Sequence, residues 1–305
     1  MKEKIRQLCK EKNAIIFAHY YTRPEIQEIA DFIGDSLALA QQATRVQADI
    51  LVMCGVHFMG ETMKILCPDK KVLIPDMSAG CSLADSCKAE DLAVFKAQHP
   101  DHMVVSYVNT SADVKALTDV VVTSSNAKKI IDQLPQDAKI IFGPDYNLGS
   151  YINSVTRRNM LLWNGACTVH EQFSVEKIVE LKKQYPNAKV LAHPECKKAG
   201  LLLADFVGST QAILNYAGKV DDKQFIVATE SGILHKMRLA YLEKEFIPAP
   251  PADSTCACNE CAYMRLNTME KLYNCLKNET PEVTVDEAVA REAVKPILRM
   301  LELSK

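Results

Sequence analysis

The sequence predicts an α/β protein: three three-layer α/β/α units with small parallel sheets, related by pseudo-threefold symmetry. Three observations carry that expectation. Four apolar segments recur three times at nearly constant offsets. The segments are short and almost unalternated, as parallel strands buried on both faces require. A cysteine-bearing loop follows the fourth segment of every copy.

The first segments are "AIIFAHYY", "HMVVSYVN" and "AKVLAHPE", with His19, Tyr107 and His193 at matching places, 88 and 86 residues apart. The second are "DFIGDS", "DVVVTS" and "DFVGST"; the third "DILVMCG", "DAKIIFG" and "KQFIVAT"; the fourth "VLIP", "MLLW" and "FIPA". Four segments in register, three times over, form an internal repeat. Stretches such as "TRPEIQEIA", "SLALAQQATRVQ" and "GETMKILCP" separate them and read as the crossover helices that parallel strands need. Each copy is therefore β-α-β-α-β-α-β. The units are expected at 1–82, 83–170 and 171–262, with helices over 263–305 packing back on the first.

Composition narrows the function. The chain has 305 residues, 48% hydrophobic and 24% charged, with a formal net charge of −2. It offers no basic face for a phosphate backbone, which excludes nucleic acid as main partner. No run of 18 apolar residues suggests a membrane span, and "AIIFA" is too short for a signal peptide. A soluble, cytoplasmic protein is expected. Eleven cysteines without a secretion signal do not suggest a disulfide scaffold. Cys9, Cys54, Cys67 and Cys275 sit in apolar contexts and read as small buried hydrophobes.

In open parallel sheets the site lies beyond the C-terminal strand ends. First strands end at His19-Tyr20-Tyr21, Tyr107-Val108-Asn109 and His193-Pro194-Glu195. Second strands end at Ser36, Ser124 and Thr210, each opening a helix. A hydroxyl there is first an N-cap. Three such helix starts converging would hold a polyanion, a dicarboxylate or a phosphate ester. Glu195 suits a general base and Tyr21 a proton donor. The bland alternative for Glu195 is a partner for Lys197 or Lys198. His57, His170 and His235 stand between site rim and surface.

Fourth strands lead to Cys81 in "DMSAGC" and Cys167 in "WNGAC", 86 residues apart. The third copy offers Cys256, Cys258 and Cys261 in "STCACNECAYM". One thiolate from each unit would meet on the pseudo-threefold axis, placing a metal cluster at the centre. Three thiolates leave a tetrahedral metal or a [4Fe–4S] cluster one ligand short, the mark of a catalytic Lewis acid. Soft ligands fit zinc or iron–sulfur, and spacing leaves both open. By itself, the knuckle reads as a disulfide or a zinc knuckle.

The motifs "AHYY", "GDSLALA", "CGVHFMGETMKIL", "PDMSAGCSLADSC", "SYVNTSADVKA", "VTSSNA", "GPDYNLGSYI", "AHPEC", "FVGST" and "ATESGILH" run in order through nearly the whole chain. In these the sequence resembles the quinolinate synthases, iron–sulfur enzymes of de novo NAD biosynthesis. The resemblance implies three similar α/β domains around a [4Fe–4S] cluster. It implies a transferase-class reaction: iminosuccinate condenses with dihydroxyacetone phosphate, phosphate and two waters leave, and the quinolinate ring closes. It implies cluster ligands at Cys81, Cys167 and Cys261, the last because it precedes "AYM". The family's C-x2-C-x2-C is here C-x-C-x2-C, so Cys256 is displaced and a regulatory Cys–Cys bridge is not carried over. Substrate contacts would be His19, Ser36, Tyr107, Val108, Asn109, Ser124, His193, Pro194, Glu195 and Thr210. Catalytic roles would fall to Glu195, Tyr21 and His193. Iminosuccinate would come from an L-aspartate oxidase or dehydrogenase. The rival reading is a non-enzymatic iron–sulfur or zinc redox sensor, which needs a fourth protein ligand and no substrate pocket.

Overall fold

The structure, a computed structural model, describes residues 1–253 and 259–305. Its first sheet holds β1 (Ala14–His19), β2 (Phe32–Gly34), β3 (Ile50–Cys54) and β4 (Lys71–Leu73). The second holds β5 (Met103–Tyr107), β6 (Val120–Val122), β7 (Ile140–Gly143) and β8 (Leu161–Leu162). The third holds β9 (Lys189–Ala192), β10 (Phe206–Val207), β11 (Gln224–Ala228) and β12 (Glu245–Pro248). Strand order is β2-β1-β3-β4, repeated as β6-β5-β7-β8 and β10-β9-β11-β12. Every pairing between these strands is parallel, and each recurring segment supplies one strand.

The register repeats as well. Phe17 pairs with Phe32 and Met53, Val105 with Val120 and Phe142, and Leu191 with Phe206 and Val227. The aspartate that opens each second segment explains part of this. Its Oδ2 accepts the N–H of Ile16, Val104 or Val190 at 2.7–2.8 Å. Its own N–H donates back to the same residue's carbonyl. Asp31, Asp119 and Asp205 thus pin each short edge strand, supplying an acceptor that so short a ladder leaves missing.

One core runs continuously under the first two sheets. It joins Phe17 and Leu51 to Val105 and Val121, and takes in Ile297 and Met300 from the helix Glu287–Leu303. The third sheet is covered by separate clusters on its two faces, around Phe225 and Met237 and around Val190 and Ile226.

The two C-terminal helices pack on different neighbours. Met269–Asn278 lies on the N-terminal helix Lys2–Glu11, with Leu272, Cys275 and Leu276 against Ile5 and Cys9. Glu287–Leu303 packs chiefly on Ala112–Ala116 and β6, with less contact to His57–Leu66. Its apolar stripe of Ala293, Ile297 and Met300 explains the placement. So do its end contacts: Asn126 donates to Ser304 Oγ at 2.8 Å, and Lys129 to the Ser304 carbonyl at 2.9 Å.

Candidate active site

The C-terminal ends of the three sheets face a common cavity of about 80 Å³. All the expected substrate contacts line it except Pro194, which is buried beside it. Tyr21, Cys81, Cys167 and Cys261 line it too. So does His170, whereas His57 pairs with Glu61 at 3.8 Å and His235 with Glu28 at 3.6 Å. Cys9, Cys54, Cys67 and Cys275 are buried elsewhere.

His19 and His193 are held alike. The N–H of Tyr21 donates to His19 Nδ1 at 3.2 Å, and that of Glu195 to His193 Nδ1 at 3.4 Å. A neutral imidazole accepting at Nδ1 carries its proton on Nε2. Burial pushes both rings down to about 3, so both stay neutral donors at physiological pH. His193 Nε2 lies 3.1 Å from Ser124 Oγ.

Glu195 is the hub. It is buried, with Oε1 accepting from Tyr107 Oη at 2.5 Å and Oε2 3.0 Å from His170 Nδ1. Burial alone would raise its carboxyl; the His170 and His193 imidazoles and the bonds from His170 and Tyr107 outweigh that and hold it at about 2. Lys197, a possible partner in the sequence, instead pairs with Glu171 at 3.3 Å. On the far side of His170, Nε2 reaches Thr229 Oγ1 at 3.0 Å. Thr229 Oγ1 also meets Tyr21 Oη at 2.8 Å, and Tyr21 meets Thr210 Oγ1 at 2.6 Å. A hydrogen-bonded chain therefore runs Thr210–Tyr21–Thr229–His170–Glu195–Tyr107. Burial raises both tyrosines well above their ordinary range, so each keeps its proton.

The hydroxyls at the second-strand ends are not the caps. Asp35 caps Ser36–Ala43 through Ala38 N, and Ser209 caps Thr210–Lys219 through Ala212 N. Ser124 precedes Asn126, the N-cap of Ala127–Gln133, by two residues. The caps stand one place earlier because Asp35 and Ser209 reach the third N–H, which leaves Ser36 and Thr210 turned to the cavity. Ser125 Oγ binds Asp35 Oδ2 at 2.6 Å and Ser209 Oγ at 2.9 Å, tying all three units together behind them. Gly232 permits the same closeness elsewhere: a Cβ there would meet the Tyr21 Cα at 2.7 Å and the Tyr20 carbonyl at 2.9 Å.

The cysteines share one local design. Backbone N–H groups two and three residues on reach each sulfur: Leu83 and Ala84 for Cys81, Val169 and His170 for Cys167, Tyr263 and Met264 for Cys261. The N–H after each third strand's turn donates to the carbonyl two residues before the cysteine. These bonds are His57 to Ala79 at 2.7 Å, Tyr146 to Gly165 at 2.7 Å and Ser231 to Asn259 at 3.1 Å. Burial pushes all three thiols up, Cys81 to about 12. They are unbridged, and they also line an outer cleft of about 350 Å³. Cys256 and Cys258 lie outside the described residues.

Cys167, His170 and Glu195 form a second grouping, with donor atoms within 4.8 Å of one another. The sequence reading left His170 undecided and missed Thr229, Asp145 and Glu230. The repeat held a signal: Thr229 ends the third segment where the first two copies have Gly55 and Gly143. Lys115 was missed as well. It is fully buried, and Nζ donates to the Val108 carbonyl at 2.9 Å and to that of Thr110, fixing the loop that carries Asn109. Burial pulls it down to about 8, against the pull of Glu61.

The comparisons agree with this architecture. The family described as NadA, quinolinate synthetase A protein, matches residues 3–302. A quinolinate synthase of Microcystis aeruginosa is 58% identical over 300 residues, 98% of this chain and 94% of the relative. That of Chloroherpeton thalassium is 56% identical over 303 residues, 99% and 94% of the two chains. That of Synechocystis is 57% identical over 300 residues, 98% and 94%. No helix among the described residues is long and apolar enough to cross a membrane. Three repeated sheets, a shared polar cavity and matches along nearly the full length lead to one conclusion: the chain belongs to the quinolinate synthetase A family, enzymes of NAD biosynthesis.

Proposed function

We propose that the protein condenses iminosuccinate with dihydroxyacetone phosphate, releasing phosphate and two waters as quinolinate forms, with a [4Fe–4S] cluster bound by Cys81, Cys167 and Cys261. The observation that carries this reading is the threefold cysteine design. The donor set fits the cluster: three sulfurs, one per unit, each met by two backbone N–H groups that favour a thiolate. Their own burial opposes bare thiolates, so a soft cationic centre is needed to offset it. The third ligand is Cys261 because it stands two residues after Asn259, the counterpart of Ala79 and Gly165. When bound, the cluster supplies a Lewis-acidic iron with one open position.

The chain's own groups do the rest. Neutral His19 donates from Nε2 to the substrates' oxygens, and His193 donates from Nε2 to Ser124 Oγ, freeing that hydroxyl's own proton for substrate. Ser36, Ser124 and Thr210 add hydroxyls at the helix starts, where carboxylates and phosphate bind favourably. Asn109 approaches from the loop that Lys115 fixes. Tyr107 Oη donates a hydrogen bond to the Glu195 carboxylate, which receives the substrate's proton, and Tyr21 Oη, linked to it through Thr229 and His170, keeps a hydroxyl proton to offer. The Glu195 N–H in turn fixes the His193 ring through Nδ1. The units divide at 82/83, 170/171 and 262/263, and an L-aspartate oxidase or dehydrogenase supplies the imine.

A second reading rests on Cys167, His170 and Glu195, which suit a single ion such as zinc. Anaerobic reconstitution distinguishes them. The cluster reading expects four irons and four sulfides per chain and quinolinate formation from both substrates. One zinc per chain, without sulfide, overturns it.

A further inference from the structure

We infer that Asp145 and Glu230 are positioning residues that latch the loops of Cys167 and Cys261, a device without a counterpart at Cys81 among the described residues. This rests on the cluster reading above. Each residue directly precedes the donor of the repeated loop bond, Tyr146 or Ser231. Each is buried, at 0% and 1% exposure. Asp145 Oδ2 accepts the N–H of Cys167 itself at 2.9 Å, while Oδ1 accepts that of Leu148 at 2.8 Å. Glu230 Oε1 accepts the N–H of Cys261 at 3.1 Å and meets Arg265 Nη2 at 3.2 Å; Oε2 accepts from Gly232 at 2.6 Å.

The same device therefore serves two units from equivalent positions. Both oxygens of both carboxylates are occupied, so no isosteric amide can replace them: an amide has one acceptor oxygen and a donor nitrogen. In the first unit the equivalent residue is Val56, buried and with no acceptor on its side chain. The Cys81 loop has the repeated main-chain bond from His57 to Ala79, and the other two cysteine loops have that bond and a carboxylate. The latch acts on the backbone N–H of the ligand residue and so fixes where its sulfur begins.

Asp145→Asn separates this role from folding. Asparagine caps helices about as well as aspartate, so its oxygen can keep the bond to Leu148 while its NH2 faces the Cys167 N–H. Glu230→Gln repeats the test on another loop. The reconstituted variants are exposed anaerobically to an iron chelator, and iron release, sulfide content and the spectrum of the reduced cluster are followed. Melting of the cluster-free chains is measured in parallel. The expected result is iron release at least about tenfold faster than in the unaltered chain with an altered spectrum, while cluster-free melting moves little. Release at the unaltered rate with an unchanged spectrum in both variants overturns the inference. So does a loss of cluster-free stability in both large enough to account for faster release. If the unaltered chain takes up no iron with sulfide, the cluster reading itself has failed.

Discussion

Glu195→Gln is the most informative single change. The carboxylate has two close partners, Tyr107 Oη at 2.5 Å and His170 Nδ1 at 3.0 Å, and is almost wholly buried. Removing one partner of a buried, charged hydrogen bond costs about 1.5–3 kcal/mol when the other is stranded. Here neither need be stranded. A tyrosine hydroxyl can accept as well as donate, and a neutral imidazole can move its proton to the other nitrogen. His170 Nε2 would then donate to Thr229, already 3.0 Å away. The fold should lose no more than about 1–2 kcal/mol, the price of imperfect geometry. The anion, by contrast, is gone, and with it the carboxylate assigned to receive the proton. General-base contributions are about 10²–10⁴-fold. We expect single-turnover quinolinate formation under anaerobic conditions to fall at least about a hundredfold, with iron, sulfide and substrate binding retained. Near-normal turnover refutes the assignment. A melting temperature that collapses along with activity means that Glu195 is structural.

Cys81→Ala, Cys167→Ala and Cys261→Ala should each abolish iron–sulfur binding on metal analysis, whereas Cys256→Ala should retain it. Ser36→Ala, Ser124→Ala and Thr210→Ala should each weaken substrate binding or turnover about tenfold or more; since none is the N-cap residue, melting should shift little, and an equal loss of stability would contradict the geometry. Lys115→Met strands the Val108 and Thr110 carbonyls; KM should rise more than kcat falls, and an unchanged KM would remove Lys115 from substrate positioning. Glu279, bonded by Lys12 and Lys71, is held at about 2. Its folded value lies below its unfolded one, so the stability it contributes is full above about 4.5 and is lost as pH falls toward 2. Glu279→Gln should lower stability at neutral pH while leaving it nearly unchanged below pH 2, as followed by acid titration of circular dichroism.

The repeat made the sheets legible because buried parallel strands leave little room for variation. "DFIGDS", "DVVVTS" and "DFVGST" even display the aspartate that pins each first strand, although its task is visible only in the hydrogen bonds. Strand ends gave the depth of the cavity for the same topological reason. What the sequence concealed is lateral pairing. His170 and Thr229 are separated by 59 residues and meet only when two units dock. Lys115 lies on the short helix Ala112–Ala116, and only the docking of its neighbours buries it. The caps were misread by one place because both "DS" and "ST" offer two capping residues in succession.

The polar chain around the cavity has a consequence for motion. Each sheet closes over about 60 residues of chain, as Ala14–His19 through Lys71–Leu73 does in the first. The bonds that build the cavity span 88, 69 and 189 residues. Local structure of this kind can persist while distant contacts open, in sub-global steps below the cost of complete unfolding. The amides of β3, β7 and β11 should therefore be slow to exchange with solvent, and those around Tyr21, Ser125 and Gly232 fast. The reaction chamber exists only while the three sheets remain docked, and separation at any of their junctions is enough to let water in.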